Sequence, residues 1–273
     1  MLAKYENCRG FSLGSRPRAS DLRLNQASMQ TVFLLIRKTT NWEDEKAFFA
    51  QLSPSLLPKV EAWNRIFRMP YHMFRQAIRD IALQNHGAID GVVLADWENI
   101  PTGAIVLPSD DDDWFSTDVA RRVAETMAAE DEGVLWTQSV LEQPINFMHG
   151  MNLRARKIMP WVGPKWLCST NNYAFRKSAS ADSLVDHMGA SRGFGTSGLR
   201  AARIADRLSI HNRTLASITS LGFGKISISG AELRRKADAY RKTYNKPSLP
   251  EGLEWTQPYV QCMAELMASL TLR

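Results

Sequence analysis

An apolar run that empties directly into four consecutive aspartates, Ile105-Val106-Leu107-Pro108-Ser109-Asp110-Asp111-Asp112-Asp113-Trp114-Phe115, constrains this chain more than any other segment. The β-prone residues before it and the helical periodicity after it put the aspartates at the carboxyl end of a strand, where open α/β sheets bind ligands. Adjacent carboxylates repel one another at neutral pH, and a hard divalent cation with oxygen ligands relieves that repulsion. The competing reading is a helix cap, because a helix is expected over residues 116–132, with Val119, Val123 and Met127 at a spacing of four and Ala120, Ala124 and Ala128 alongside. One or two aspartates would serve a cap, so four in a row favour a metal over a solvated acidic loop.

What surrounds the aspartates excludes two kinds of site. A calcium-binding EF-hand loop needs Gly at its sixth position and Glu at its twelfth, but counting from Asp110 these places hold Phe115 and Arg121. A phosphatase working through an aspartyl phosphate would show Asp-x-Asp-x-Thr or Val, and here Trp114 stands in the last place.

A chain of 273 residues with 44% hydrophobic content is ample for one sizeable α/β domain with some decoration. The net charge of +6 points to an anionic partner. Basic residues are scattered and do not alternate with aromatics as on a base-stacking platform, so nucleic acid is not the expected partner. Cys8, Cys168 and Cys262 are odd in number and far apart, which excludes a full disulfide framework and fits a reducing compartment. Lys4, Arg9, Arg16, Arg18 and Arg23 flank no apolar core of a secretory signal, and no uncharged run reaches membrane-spanning length. Cytoplasmic residence is the expectation, and the positive charge allows peripheral contact with the acidic inner-membrane surface.

Residues 1–28 read as a basic amino-terminal arm, 29–228 as the main α/β domain and 229–273 as a helical carboxyl-terminal extension. Residues 31–36 form a β-prone run that reads as the first buried strand of a parallel sheet. A helix is expected over 42–52, and the segment with Val60, Trp63, Ile66 and Phe67 is strand or helix. Pro70 opens a helix to Gln84 with Met73, Phe74, Ala77, Ile78 and Ile81 inward and Arg75 and Arg79 on another side. Asn85-His86-Gly87 ends it. Residues 89–94, 104–107, 133–140 and 208–213 are β-prone, whereas 141–165 read as an irregular excursion. Asn171 and Asn172 offer paired donors and acceptors suited to sugar or nucleotide hydroxyls. Ser229 with Glu232 makes a capping box for a helix to Thr243, and Val260, Met263, Ala264, Met267 and Leu270 mark a final amphipathic helix.

An apolar strand, an Asp-x-Asp-Asp-Trp run, a helix, a strand and then Ser169-Thr170-Asn171-Asn172-Tyr173-Ala174-Phe175-Arg176-Lys177 with acidic residues soon after resemble glycosyltransferases of the GT-A fold. In particular they are similar to bacterial members of the large inverting family 2 and to rhamnosyltransferase-like relatives, over residues 31–212. The resemblance implies a Rossmann-related mixed central sheet flanked by helices. It also implies sugar transfer from a nucleotide-diphosphate donor to a saccharide or glycolipid acceptor, in bacterial surface polysaccharide synthesis.

The implied cofactor is Mn²⁺ or Mg²⁺, held by Asp112, with Asp110 towards the ribose or sugar and Asp113 in support. His211, with His187 second, is the histidine expected to complete the metal site. Asp186, with Asp182 in reserve, is the expected general base, and Arg37, Arg75, Arg79 and Arg213 are candidates for the diphosphate, with Asn172 at the donor. Two departures bear on this. Relatives usually carry a Glu-Asp pair where this chain has Val185-Asp186-His187, which leaves the base and the anomeric outcome open, and only Phe74-Arg75-Gln76-Ala77 loosely fills the place of an Ala-Arg-Asn run.

Two other classes share parts of the pattern. A metal-dependent phosphoryl-transfer enzyme or nuclease would also cluster carboxylates, but over several strands. A non-catalytic interaction protein on the same fold would keep the scaffold without metal dependence.

Overall fold

The computed structural model describes residues 30–36, 56–136, 138–141, 158–161, 172–178, 201–212, 214–216, 229–245, 249 and 251–273. Strand β1 (Val32–Ile36) is the apolar run expected to open a parallel sheet, and it does. It lies parallel to β2 (Val92–Leu94) on one side and to β3 (Ile105–Ser109) on the other, with Val32 opposite Val92 and Ile105 and with Ile36 opposite Ser109. Gly103, at φ 82, turns the chain towards β3. Beyond β3 come the antiparallel β8 (Tyr173–Arg176), then β5 (Gly133–Trp136) and β9 (Ala201–Ile204), which gives a six-stranded order β2-β1-β3-β8-β5-β9. Only β8 runs against the others in this sheet.

Both faces of the sheet are buried, which explains why β1 and β3 are continuously apolar rather than alternating. Val32, Leu34, Ile36, Ile105, Leu107, Val134, Ala174 and Ile204 share one face, covered by Val119, Ala120 and Val123 of a helix, α3 (Val119–Thr126). Leu35, Val106, Tyr173 and Phe175 share the other with Trp97 and Ile100. Lys177 secures that second face: Nζ donates to the carbonyls of Trp97 (2.7 Å) and Ile100 (2.8 Å) and sits 4.6 Å from the Trp97 ring centre.

A second sheet has the order β4-β10-β6-β7, formed by Trp114–Phe115, Ser209–Asn212, Gln138–Leu141 and Ile158–Trp161. A helical layer packs on Trp114 and Ile210 of this sheet. It consists of α1 (Leu56–Ile66), α2 (Tyr71–Gly87), α4 (Gly230–Asn245) and α5 (Gln257–Ser269). Trp63 is at its centre, with ring centroids 4.7 Å from Phe67, 5.0 Å from Phe74 and 5.7 Å from Tyr71. The expected cap of α4 is present, the Glu232 N–H donating to Ser229 Oγ at 3.1 Å. The carboxyl-terminal helices therefore share one core with α1 and α2.

The result is a mixed central sheet flanked by helices with a helical carboxyl-terminal extension, a GT-A-like α/β architecture. Several local expectations need correction. The helix placed at 116–132 spans only Val119–Thr126, and Trp114 and Phe115 before it are strand. The segment around Trp63, open between strand and helix in the sequence, is resolved as helix. Met73 is exposed because the buried stripe of α2 runs through Tyr71, Phe74, Ile78, Ile81, Ala82 and Asn85, leaving Met73 to one side. Within 141–165, residues 158–161 form β7. The helix expected over 42–52 lies outside the described residues. Among the described residues no helix is long and apolar enough to cross a membrane.

Candidate functional site

The four aspartates occupy the passage between the two sheets. The chain leaves β3 at Ser109, crosses Asp110 to Asp113, and enters the second sheet at Trp114. Two further strands of the central sheet make the same transfer at their carboxyl ends, β5 into β6 and β9 into β10. The aspartates thus lie at the carboxyl edge of the parallel strands, where the sheet itself can no longer satisfy polar groups and ligands characteristically bind.

Helix α2 braces the loop from one side. Arg75 and Arg79 are four residues apart and so project from one face of the helix. Arg79 Nε donates to Asp111 Oδ2 at 2.6 Å, and Arg75 lies 3.5 Å from Asp111 and 3.6 Å from Asp112. The last turn of α2 then grips the backbone around the aspartates. Asn85, fully buried, donates from Nδ2 to the Phe115 carbonyl (2.7 Å) and accepts the Phe115 N–H at Oδ1 (2.6 Å). This side chain stands in for a neighbouring strand along β4.

His86 completes the brace. Its Nε2 is 3.1 Å from both the Asp113 carbonyl and Ser109 Oγ, while the Ser109 hydroxyl donates to the Asp110 carbonyl at 2.7 Å. A carbonyl can only accept, so Nε2 carries the proton and Nδ1, buried without a hydrogen-bond partner, is the bare nitrogen. Burial lowers the His86 pKa to about 4, against the opposing pull of Asp113 and Asp111, and keeps the ring neutral.

From the other side, β10 closes the loop. Asp113 is fully buried, and its Oδ1 accepts the Asn212 N–H at 2.8 Å. The antiparallel register pairs Ile210 with Trp114, which carries position 211 to the level of Asp113. Trp114 itself packs beneath the loop, its ring 5.6 Å from that of Tyr259.

Four carboxylates against two guanidinium groups leave a formal charge of −2 on this cluster when every carboxyl group is ionised. The imbalance is felt at Asp112, whose pKa is raised to about 7 by burial first and then by Asp113, Asp111 and Asp110, with Arg75 acting in the opposite direction. A divalent cation would match that charge. Among the described residues, however, no three His, Cys, Asp or Glu side chains form a group arranged to hold one. Two of the four aspartates have other work: Asp111 turns to Arg79, and Asp113 turns one oxygen to the β10 amide.

The structure therefore brings together Asp110, Asp112, Asp113, Arg75 and Arg79, and places the backbone of His211 in β10 beside them. Asn172 directly precedes β8, its Nδ2 donating to the Trp136 carbonyl at 3.3 Å and its own carbonyl accepting the Trp136 N–H at 3.1 Å, both parts of the β5–β8 junction. Arg37, Asp182, Asp186, His187 and Arg213 lie outside the described residues. Asn85, His86 and Asn212 were not anticipated. Asn85 was detectable as the polar residue that continues the apolar stripe of α2, since a polar side chain on a core stripe needs a buried partner. No protein-family model and no curated protein matches the chain.

Proposed function

We propose that this protein is a metal-dependent glycosyltransferase, moving a sugar from a nucleotide-diphosphate donor to a saccharide or glycolipid acceptor. The observation that carries the reading is the aspartate loop, a partly buried, net-negative passage between two sheets at the carboxyl edge of a GT-A-like fold. Mg²⁺ and similar ions are commonly held by only one or two carboxylates together with substrate phosphates. A site with few protein ligands suits a cation that arrives with, or is completed by, a diphosphate.

On this reading Asp112 and Asp110 hold Mn²⁺ or Mg²⁺, and the cation neutralises the charge that gathers on the diphosphate as the glycosidic bond breaks. Arg75 and Arg79 fix the loop through Asp111 and lend positive charge to the same pocket of space. Arg37 and Arg213 add further diphosphate contacts, Asn172 contacts the donor, and His211 or His187 supplies a histidine near the ion. Asp186, with Asp182 second, takes the proton of the acceptor hydroxyl. A nuclease would be expected to gather carboxylates from several strands, whereas the four here come from one loop.

Release of nucleotide from a panel of UDP-, GDP- and dTDP-sugars, followed with and without Mn²⁺, tests the proposal. One donor should be turned over only with metal, and Asp112→Asn should abolish turnover. Turnover that survives both metal removal and Asp112→Asn would exclude the reading.

A further inference from the structure

Asn212 is a residue of this region with both side-chain polar atoms buried and unsatisfied among the described residues. It is 2% exposed, and among the described residues neither Oδ1 nor Nδ2 has a hydrogen-bond partner. Buried amides are almost always satisfied, and one that no described residue satisfies is suited to something the chain binds. Its position says where. Side chains two apart on a strand share a face, so Asn212 lies on the face of β10 from which Ile210 enters the helical core shared with Phe74 and Ile78 of α2. Arg75 and Arg79 of that same helix meet Asp111 and Asp112, and the Asn212 N–H is itself bonded to Asp113. The unsatisfied amide therefore lies on the α2 side of β10, next to the aspartate loop that Arg75 and Arg79 hold and that Asp113 ties to the Asn212 N–H.

We propose that Asn212 Oδ1 is an oxygen ligand, with Asp110 and Asp112, of a hard divalent cation of the Mg²⁺ or Mn²⁺ class, so that the ion binds without a nucleotide. Carbonyl and carboxylate oxygens suit these ions, and two carboxylates balance a double positive charge while a neutral amide adds a donor atom without excess negative charge. The inference rests on the transferase reading only in sharing Asp110 and Asp112. It is separable, because it concerns the metal alone.

The test is titration of the full-length protein with Mn²⁺ alone, followed by electron paramagnetic resonance and calorimetry, for wild type, Asn212→Leu, Asn212→Asp and Asp112→Asn. Wild type binds one Mn²⁺ without nucleotide. Asn212→Leu matches the volume without polar atoms, keeps or raises the metal-free melting temperature, and weakens Mn²⁺ binding at least about tenfold, the lower bound for disturbing a metal site. Asn212→Asp retains an oxygen and retains the ion. Unchanged Mn²⁺ affinity in Asn212→Leu overturns the inference, as does equal loss in Asn212→Leu and Asn212→Asp, which would mark a structural role. If Mn²⁺ binds as described but no nucleotide diphosphate does, the transferase reading fails and this inference stands. If a nucleotide diphosphate binds with Mn²⁺ through Asp112 but is indifferent to Asn212→Leu, the reverse holds.

Discussion

Replacing Asn85 with Ala removes both hydrogen bonds that this side chain makes to the backbone of Phe115. Residue 115 pairs with Ser209 across β4 and β10, but the neighbouring ladder bond runs from the Ser116 N–H to the Leu208 carbonyl, so the polar groups of Phe115 point to α2 rather than to the strand beside it. Asn85→Ala leaves both without a partner in a fully buried place. Each such group costs about 1–3 kcal/mol, and some entry of water into the vacated space moderates the total, so a loss of about 3 kcal/mol is expected. For a chain of this size that lowers the melting temperature by about 6–12 °C. Urea denaturation gives the free energy directly. Asn85→Asp sharpens the test: ionised, it can accept the Phe115 N–H but repels the Phe115 carbonyl, and protonated it can serve both, so its deficit should shrink as the pH falls. A loss below about 1 kcal/mol in Asn85→Ala would refute the view that this side chain substitutes for a strand.

Three further outcomes follow from the same geometry. Asp112, with its pKa raised from 3.8 to about 7, makes the folded state hold a proton that the unfolded state has lost, so its contribution to stability falls as pH rises through that window. His86, lowered from 6.5 to about 4, has the opposite sign, since the unfolded state takes up the proton first and stability is lost as pH falls through its window. The two oppose each other in the wild type, so metal-free Asp112→Asn should gain stability with rising pH and exceed the wild type above neutrality, as urea denaturation across the pH range will show; parallel profiles would contradict this. Arg79→Met removes the 2.6 Å contact from Nε to Asp111 and should cost about 3 kcal/mol in the same assay, with Arg79→Lys recovering part. Trp136→Phe deletes the 2.8 Å bond from Nε1 to Ser209 Oγ that links the two sheets and should cost about 1 kcal/mol in thermal unfolding.

Elements whose signal is local were legible in the sequence. β1 and β3 are continuous apolar runs, α5 carries a helical stripe, and the Ser229 cap announces α4. Elements made by tertiary contact were not. Trp114 and Phe115 are strand only because β10 and Asn85 supply their partners, and nothing in two residues can announce that. β9 begins with Ala201-Ala202, residues with helical preference, and owes its form to pairing with β5. The site divides in the same way. Four successive aspartates are visible as a cluster, and Arg75 and Arg79 are visible as one helix face. That the arginines meet Asp111 and Asp112 and that Asp113 binds a β10 amide both depend on how β10 and α2 come together.

On the proposed function, the aspartate loop binds a nucleotide diphosphate through a divalent ion. The most direct measurement is the melting temperature of wild type and Asp112→Asn against UDP, GDP, dTDP and CMP, each with and without Mn²⁺, since a ligand that binds only the folded state raises the midpoint by mass action. One nucleoside diphosphate is expected to stabilise the wild type only when Mn²⁺ is present, and Asp112→Asn to remove the effect. No shift with any nucleotide and metal, or a shift that persists in Asp112→Asn, would contradict it.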